Sequence, residues 1–194
     1  MIQTKDDLRT YIKQDAIALK CDGKKRPRLF GDEIWKFQRT LRKLEYYTNR
    51  GNHNKLFKLK SLITRFRFKR LSIKLGFSIP INVFEEGLSI AHYGYIVVNK
   101  HAKVGKNCRI QEGVTIGATN GNTNAPKIGD NVFIGSGAKI IGDISIADDV
   151  AIGANAVVVK SIMEGSATYA GVPAKKISDN NSHSNLAPKL FIQN

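Results

Sequence analysis

Histidines and a ladder of small residues are the parts of this 194-residue chain best suited to chemistry. Imidazole is the usual group for moving protons at neutral pH, because its unperturbed pKa lies near 6.5. Of four histidines, His53 falls in a helical segment and His183 in a polar tail. His101 falls at a turn, where exposure is expected. His92 stands six residues before Val98, at a place where the pattern around it wants an aliphatic side chain. It is either a satisfied core histidine or one displaced towards a groove, and Ala91, Tyr93 and Gly94 beside it do not decide. The ladder is Ile116-Gly117-Ala118, Ile134-Gly135-Ser136 and Ile152-Gly153-Ala154. Ala118, Ser136 and Ala154 are eighteen residues apart, and the spacing predicts that they stack along one edge. Small side chains leave backbone N–H and C=O groups open to a long, thin ligand. They also suit tight turns in any stacked coil, so the ladder alone names no ligand.

The element that positions these residues is a six-residue repeat. Val98, Val104, Ile110, Ile116, Ile128, Ile134, Ile140, Ile146, Ile152 and Val158 follow one another in steps of six, with one double step. Four places after them come Ala102, Cys108, Val114, Val132, Ala138, Ile144, Val150 and Ala156. A period of six fits neither a helix nor one long strand. It is the signature of a parallel β-helix, in which short strands meet at turns and each coil stacks on the last. Counting back from Val98 puts His92, Glu86 and Pro80 at inward places, while Phe84, Ile90 and Ile96 fill the companion places. The coil therefore begins upstream, near Pro80. The stretch Gly117 to Lys127 is polar and turn-rich, and reads as a loop that replaces part of one coil without upsetting the phase.

Charge divides the chain unevenly. Residues 1–75 hold 21 Lys/Arg against 7 Asp/Glu, whereas 76–194 hold 10 against 9. Such asymmetry speaks of partners more than of fold. Nucleic acid is not expected, since no reading motif accompanies the charge. Cys108 occupies an inward small position and is explained by packing, and two cysteines form no disulfide framework. No apolar run reaches the length of a membrane span and no leader pattern is evident. The expected location is cytoplasmic, at most on the inner face of the membrane.

The expected organisation is a basic α-helical segment over residues 1–76, a β-helix over 77–177 and a tail over 178–194. Thr4 with Asp7 approximates a capping box for a first helix, and Asp32 is a candidate cap for a second. A third helix is expected from about Asn54 to Leu75, ended by Gly76. On it Leu59, Leu62, Ile63 and Phe66 share a face amid eight lysines and arginines, and Phe57, Phe68, Leu71 and Leu75 widen the apolar surface beyond one stripe. The plainer role for that helix is packing, with solvated cations outside. The alternative is contact with an anionic membrane or polymer. The polar tail from Ser178 is expected to be disordered, unless the apolar residues at its end dock.

The repeat, its extruded loop, the segment IAHYGYIVVNKHAKVGKNCRIQEGVTIGAT and the ending AGVPAKKI together resemble the hexapeptide-repeat acyltransferases. Within them the chain is similar to the serine O-acetyltransferases and to the acetyltransferases of capsule, colanic acid and lipopolysaccharide synthesis. The resemblance covers roughly residues 77–177. It implies a mainly β fold, a left-handed parallel β-helix preceded by helices, assembled as a homotrimer with acetyl-CoA between subunits. It further implies that His92 is the general base for the acceptor hydroxyl, which attacks the thioester directly. Gly117, Ala118, Ser136 and Ala154 match positions along the pantetheine arm. Lys160, Lys175 and Lys176 are the candidates for the nucleotide phosphates. A zinc site of the kind found on similar helices needs three histidines where this repeat has two, so no metal is expected.

The sequence departs from the serine enzymes at three places. Phe77 and Ala91 stand where those enzymes carry aspartates, and Ala125 stands where they carry a second histidine. The expected function is therefore acetyl transfer to a sugar hydroxyl in surface-polysaccharide synthesis. The alternatives are a serine acetyltransferase with an unusual acceptor pocket, and a non-catalytic β-helix whose basic helices dock on membranes. Glu112 or a backbone carbonyl is the expected partner of His92.

Overall fold

The computed structural model describes residues 1–51, 54–121 and 123–192; His53 lies outside them. Three helices precede a β-helix of triangular section. Helix α1 (Lys5–Ala18) starts on the capping box foreseen for it: Asp7 N–H donates to Thr4 Oγ1, and Asp7 Oδ2 accepts from Thr4 N–H. Helix α2 (Glu33–Asn49) departs from expectation at its start. Asp32 is left-handed there (φ 54°) and caps nothing; its carboxylate is held by the Arg28 guanidinium and amide instead. Helix α3 (Lys55–Leu75) is capped by Asn54 and stopped by Gly76 at φ 78°. Its packed face carries Phe57, Phe68, Leu71 and Leu75, with Phe68 stacked on Phe37 of α2 at 5.3 Å between ring centres. The Leu59–Phe66 stripe faces away, so packing falls to the residues that widen the apolar surface beyond that stripe.

Short parallel strands build three faces. The first carries the inward column Val98, Ile116, Ile140, Val158. The second carries Phe84, Val104, Ile128, Ile146, Ile162. The third carries Ile90, Ile110, Ile134, Ile152, Tyr169. The aliphatic members of these columns and their small companions, Ala102, Cys108, Val114, Val132, Ala138, Val150 and Ala156, make one continuous buried core. Parallel strands buried from within account for the β-branched columns.

Two expectations about phase are corrected. Ile116 pairs with Ile140 and Ile110 with Ile134, so this coil is twenty-four residues long. The loop adds a hexad to the coil, which preserves the phase. Upstream, Ile90 and Val98 are the inward residues of successive faces, eight residues apart. Phe84 and Ile90 are therefore the true inward positions of the first coil. His92, Glu86 and Pro80 lie beyond its strands, which removes the conflict of putting them in an apolar interior.

The open end of the β-helix is closed by helices. Arg42 of α2 is fully buried; its Nε lies 2.8 Å from Asp15 Oδ2, its Nη1 lies 3.0 Å from Glu45 Oε2, and its other N–H groups donate to Asp15 Oδ1 and to the Phe84 and Glu85 carbonyls. Asp15 accepts from the Gly87 and Leu88 amides, and Gln38 bonds the Leu88 carbonyl and the Ile90 amide. Backbone groups that would be orphaned on the terminal coil thus find partners. The other end is covered by the strand Lys175–Ser178, paired antiparallel with Thr168–Ala170. The tail docks: Ser182 is buried, its amide donates to the Asp149 carbonyl, and His183 Nε2 lies 2.7 Å from Asp149 Oδ1.

Candidate active site on two edges of the β-helix

His92 lies two residues past Ile90, at the corner leading from the third face to the first. The register of that face carries the count upward: Ile90, Ile110, Ile134 and Ile152 are stacked, so His92, Glu112, Ser136 and Ala154 form the adjoining column. Neighbouring coils are about 4.8 Å apart, so His92 and Glu112 are nearest neighbours along this edge. The two extra residues of the first coil fall here. Gly94 at φ 132° makes the turn, and a Cβ on it would stand 3.0 Å from Glu112 Cβ. The turn is pinned to the end of α3 by Gly94 N–H donating to the Leu75 carbonyl and Ile96 N–H to the Gly76 carbonyl. At this widened corner His92 is exposed, as are Tyr93 and Tyr95 after it.

The environment of this column is polar. A Ser136 hydrogen bond, its own amide and the nearby His92 hold the Glu112 carboxyl below its ordinary value. Glu112 Oε2 is shielded from solvent and has no hydrogen-bond partner among the described residues. The Ser136 amide donates to Gln111 Oε1 at 3.0 Å, and the Ser136 hydroxyl oxygen lies 2.9 Å from the same atom. The Lys139 ammonium caps the Gly113 carbonyl and stands 5.7 Å from the Tyr95 ring centre. An exposed imidazole beside a carboxylate, on a ridge of small side chains, can take a proton from an incoming hydroxyl.

The expected small-residue ladder divides between two edges. Ser136 and Ala154 share the His92 edge, but Ala118 does not join them. It follows Ile116 on the first face, so its column runs Lys100, Ala118, Gly142, Lys160 at the corner between the first and second faces. One hexad of extended chain, about 20 Å, separates the two corners. Gly117 sits where a Cβ would press Ile141 Cδ1 at 3.3 Å, and its carbonyl accepts from Gly142 N–H. The extruded loop leaves from this second edge, and Asn124 returns to bond Asp143 at 2.7 Å. Lys160 and Lys175 are exposed. Lys176 is committed elsewhere, bridging Glu164 and Asp179 (2.6 Å to the latter), which argues against a phosphate role for it. Phe77 is buried in the core and Ala91 and Ala125 carry no polar side-chain atom, so none of the three supplies a second acid or base.

These features define a left-handed parallel β-helix built on a hexapeptide repeat. A family described as bacterial transferase hexapeptide (six repeats) matches residues 125–160. The chain is 35% identical over 147 residues to a serine acetyltransferase of Staphylococcus xylosus, covering 71% of this chain and 65% of that one. It is 44% identical over 90 residues to a serine acetyltransferase of Mycobacterium tuberculosis, covering 45% of this chain and 39% of the other. The chain thus spans less than two thirds of the length of these relatives. Among solved structures, the serine acetyltransferase of Neisseria gonorrhoeae superposes with a TM-score of 0.69 at 27% identity, over 98% of this chain and 73% of that one.

Proposed function

We propose that this protein is an acetyl-CoA-dependent O-acetyltransferase in which His92 is the general base. The observation that carries the reading is the column His92–Glu112–Ser136–Ala154, a proton acceptor at the foot of a ridge of small side chains. In this mechanism an acceptor hydroxyl approaches His92, which takes its proton as the oxygen attacks the thioester carbonyl. The C–O bond forms, the oxyanion collapses, and the C–S bond breaks to release CoA thiolate, which regains the proton. Glu112 stabilises the imidazolium between those two transfers. No acyl-enzyme is needed.

A pantetheine arm fits the backbone exposed beside Ser136 and Ala154 on one edge and beside Gly117 and Ala118 on the other. The two edges of one chain are too far apart to grip one arm, whereas the edge of one subunit against that of a neighbour would enclose it. That separation supports a homotrimer. Lys160 and Lys175 are the cations available for the nucleotide phosphates.

The similarity to serine acetyltransferases supports serine as the acceptor. A second reading, a sugar hydroxyl of a surface polysaccharide, is favoured by Phe77, Ala91 and Ala125, which leave no carboxylate or second imidazole for an amino acid. Thiol release from acetyl-CoA with serine, set beside release with hexose and N-acetylhexosamine acceptors, separates the two. Turnover with serine supports the first; turnover with a sugar alone supports the second. Release with none of them above the rate in water would contradict the transferase itself.

A further inference from the structure

Helix α3 has two apolar faces, and the fold uses one. Leu59, Leu62, Ile63, Phe66 and Ile73 recur at helical spacing on the other side and are all exposed, Leu62 and Phe66 by 65% and 63%. Scattered apolar residues on a surface need no explanation, but a stripe of five along one helix does. Beside it α2 and α3 enclose a cleft of about 550 Å³ whose cations are Lys36, Arg39, Lys43, Arg67, Arg70 and Lys74. Glu33 meets Lys36 and Lys74. Among the described residues, Arg39, Lys43, Arg67 and Arg70 have no carboxylate partner. Burial and the neighbouring Arg39 and Arg67 lower the hold of Lys43 on its proton, a state that a bound anion would relieve.

We propose that this face of α2 and α3 docks the protein on an anionic phospholipid surface. Lipid phosphates would enter the basic cleft, and the α3 stripe would enter the headgroup–acyl boundary. Charge selects this occupant. Helix α3 contains eight cations and no Asp or Glu, so a second copy laid against it would set like charges together. A soluble polyanion would satisfy the cleft and leave the stripe in water. An anionic bilayer satisfies both, because basic apolar helices lie in its interface and each Lys or Arg near it adds attraction. The inference does not depend on which acceptor is acetylated.

The test is sedimentation of the full chain with phosphatidylcholine vesicles, with and without phosphatidylglycerol, across a salt series. Binding is expected only with phosphatidylglycerol, and is expected to weaken as salt rises. Arg67→Gln with Arg70→Gln is expected to reduce partitioning roughly 30-fold, from about fivefold per cation. Leu62→Ser with Phe66→Ser is expected to reduce it at least about 10-fold, whereas Lys127→Gln on the β-helix leaves it unchanged. Thermal unfolding of each variant verifies the fold. Failure to bind phosphatidylglycerol vesicles, equal binding to both compositions, or unchanged binding by both double variants would overturn the proposal. So would inorganic phosphate binding without vesicle binding, which assigns the cleft to a soluble anion. An altered oligomer in the Leu62/Phe66 variant without vesicle binding would give the face to a second copy and overturn the proposal equally.

Discussion

Arg42 and Asp15 form a sealed ion pair, 2.8 Å from Nε to Oδ2, at the junction between the helices and the first coil. Asp15 also receives the Gly87 and Leu88 amides, and Arg42 reaches the Phe84 and Glu85 carbonyls. The pair is therefore less a bond between two helices than a socket for the coil that ends at His92. Removing one partner strands a buried charge and several backbone groups, and costs about 3–5 kcal/mol. Arg42→Leu and Asp15→Asn are each expected to lower the melting temperature by many degrees. A loss below about 1 kcal/mol would show that the junction does not support the fold.

Coil-to-coil contact is close at Gly135, after the inward Ile134. A Cβ at Gly135 would stand 2.7 Å from the Ala154 amide nitrogen and 2.9 Å from the Ile152 carbonyl oxygen, both backbone. Gly135→Ala must therefore spread two coils beneath the Ser136–Ala154 ridge, at about 1–3 kcal/mol. Denaturant unfolding measures the loss. A neutral result would contradict the tight stacking.

The lysines make contrasting predictions. Lys160 is exposed without an acidic partner among the described residues, whereas Lys176 is held by Glu164 and Asp179, which raise its pKa. Lys160→Ala is expected to raise the KM for acetyl-CoA roughly fivefold, as for an exposed contact of about 1 kcal/mol. Lys176→Ala is expected to leave that KM unchanged. The reverse pattern would relocate the phosphates.

Acid acts on the start of α1. The Gln3 and Thr4 amides and the Thr4 hydroxyl hold the Asp7 carboxyl below its ordinary value. A lowered folded-state pKa gives stability that is present above the unfolded value, near 4, and is lost as pH falls through the folded one. Amide exchange over the first turn of α1 is expected to quicken below about pH 4 in the native chain. Asp7→Asn is expected to be fast and nearly pH-independent in that window, apart from intrinsic exchange. Identical profiles would remove the capping box from the account.

The repeat was legible from Val98 to Val158 because every inward place carries an aliphatic or small residue, a pattern that a buried parallel coil imposes. Its exceptions were harder to read. Ile90 and Ile96 are both apolar, so counting back from Val98 fits either phase, and the two-residue slip that exposes His92 leaves no mark. The loop adds six residues and so preserves the phase, hiding that Ala118 changes edge. Arg42 lies among basic residues and looks solvated; only its distant partners in the fold make it internal. Helix α3 carries two apolar stripes of similar quality, and nothing local tells which one packs. Glu112 was reachable as a partner of His92, but its adjacency required the register of the third face.

The central claim is that His92 takes the acceptor proton. Its direct test is CoA thiol release by the full-length protein and by His92→Ala, with oligomeric state and acetyl-CoA binding measured on the same samples. Loss of a positioned base is expected to cost about 10²–10⁴ in kcat, while assembly and acetyl-CoA binding stay as in the unaltered protein. Undiminished turnover by His92→Ala would contradict the account.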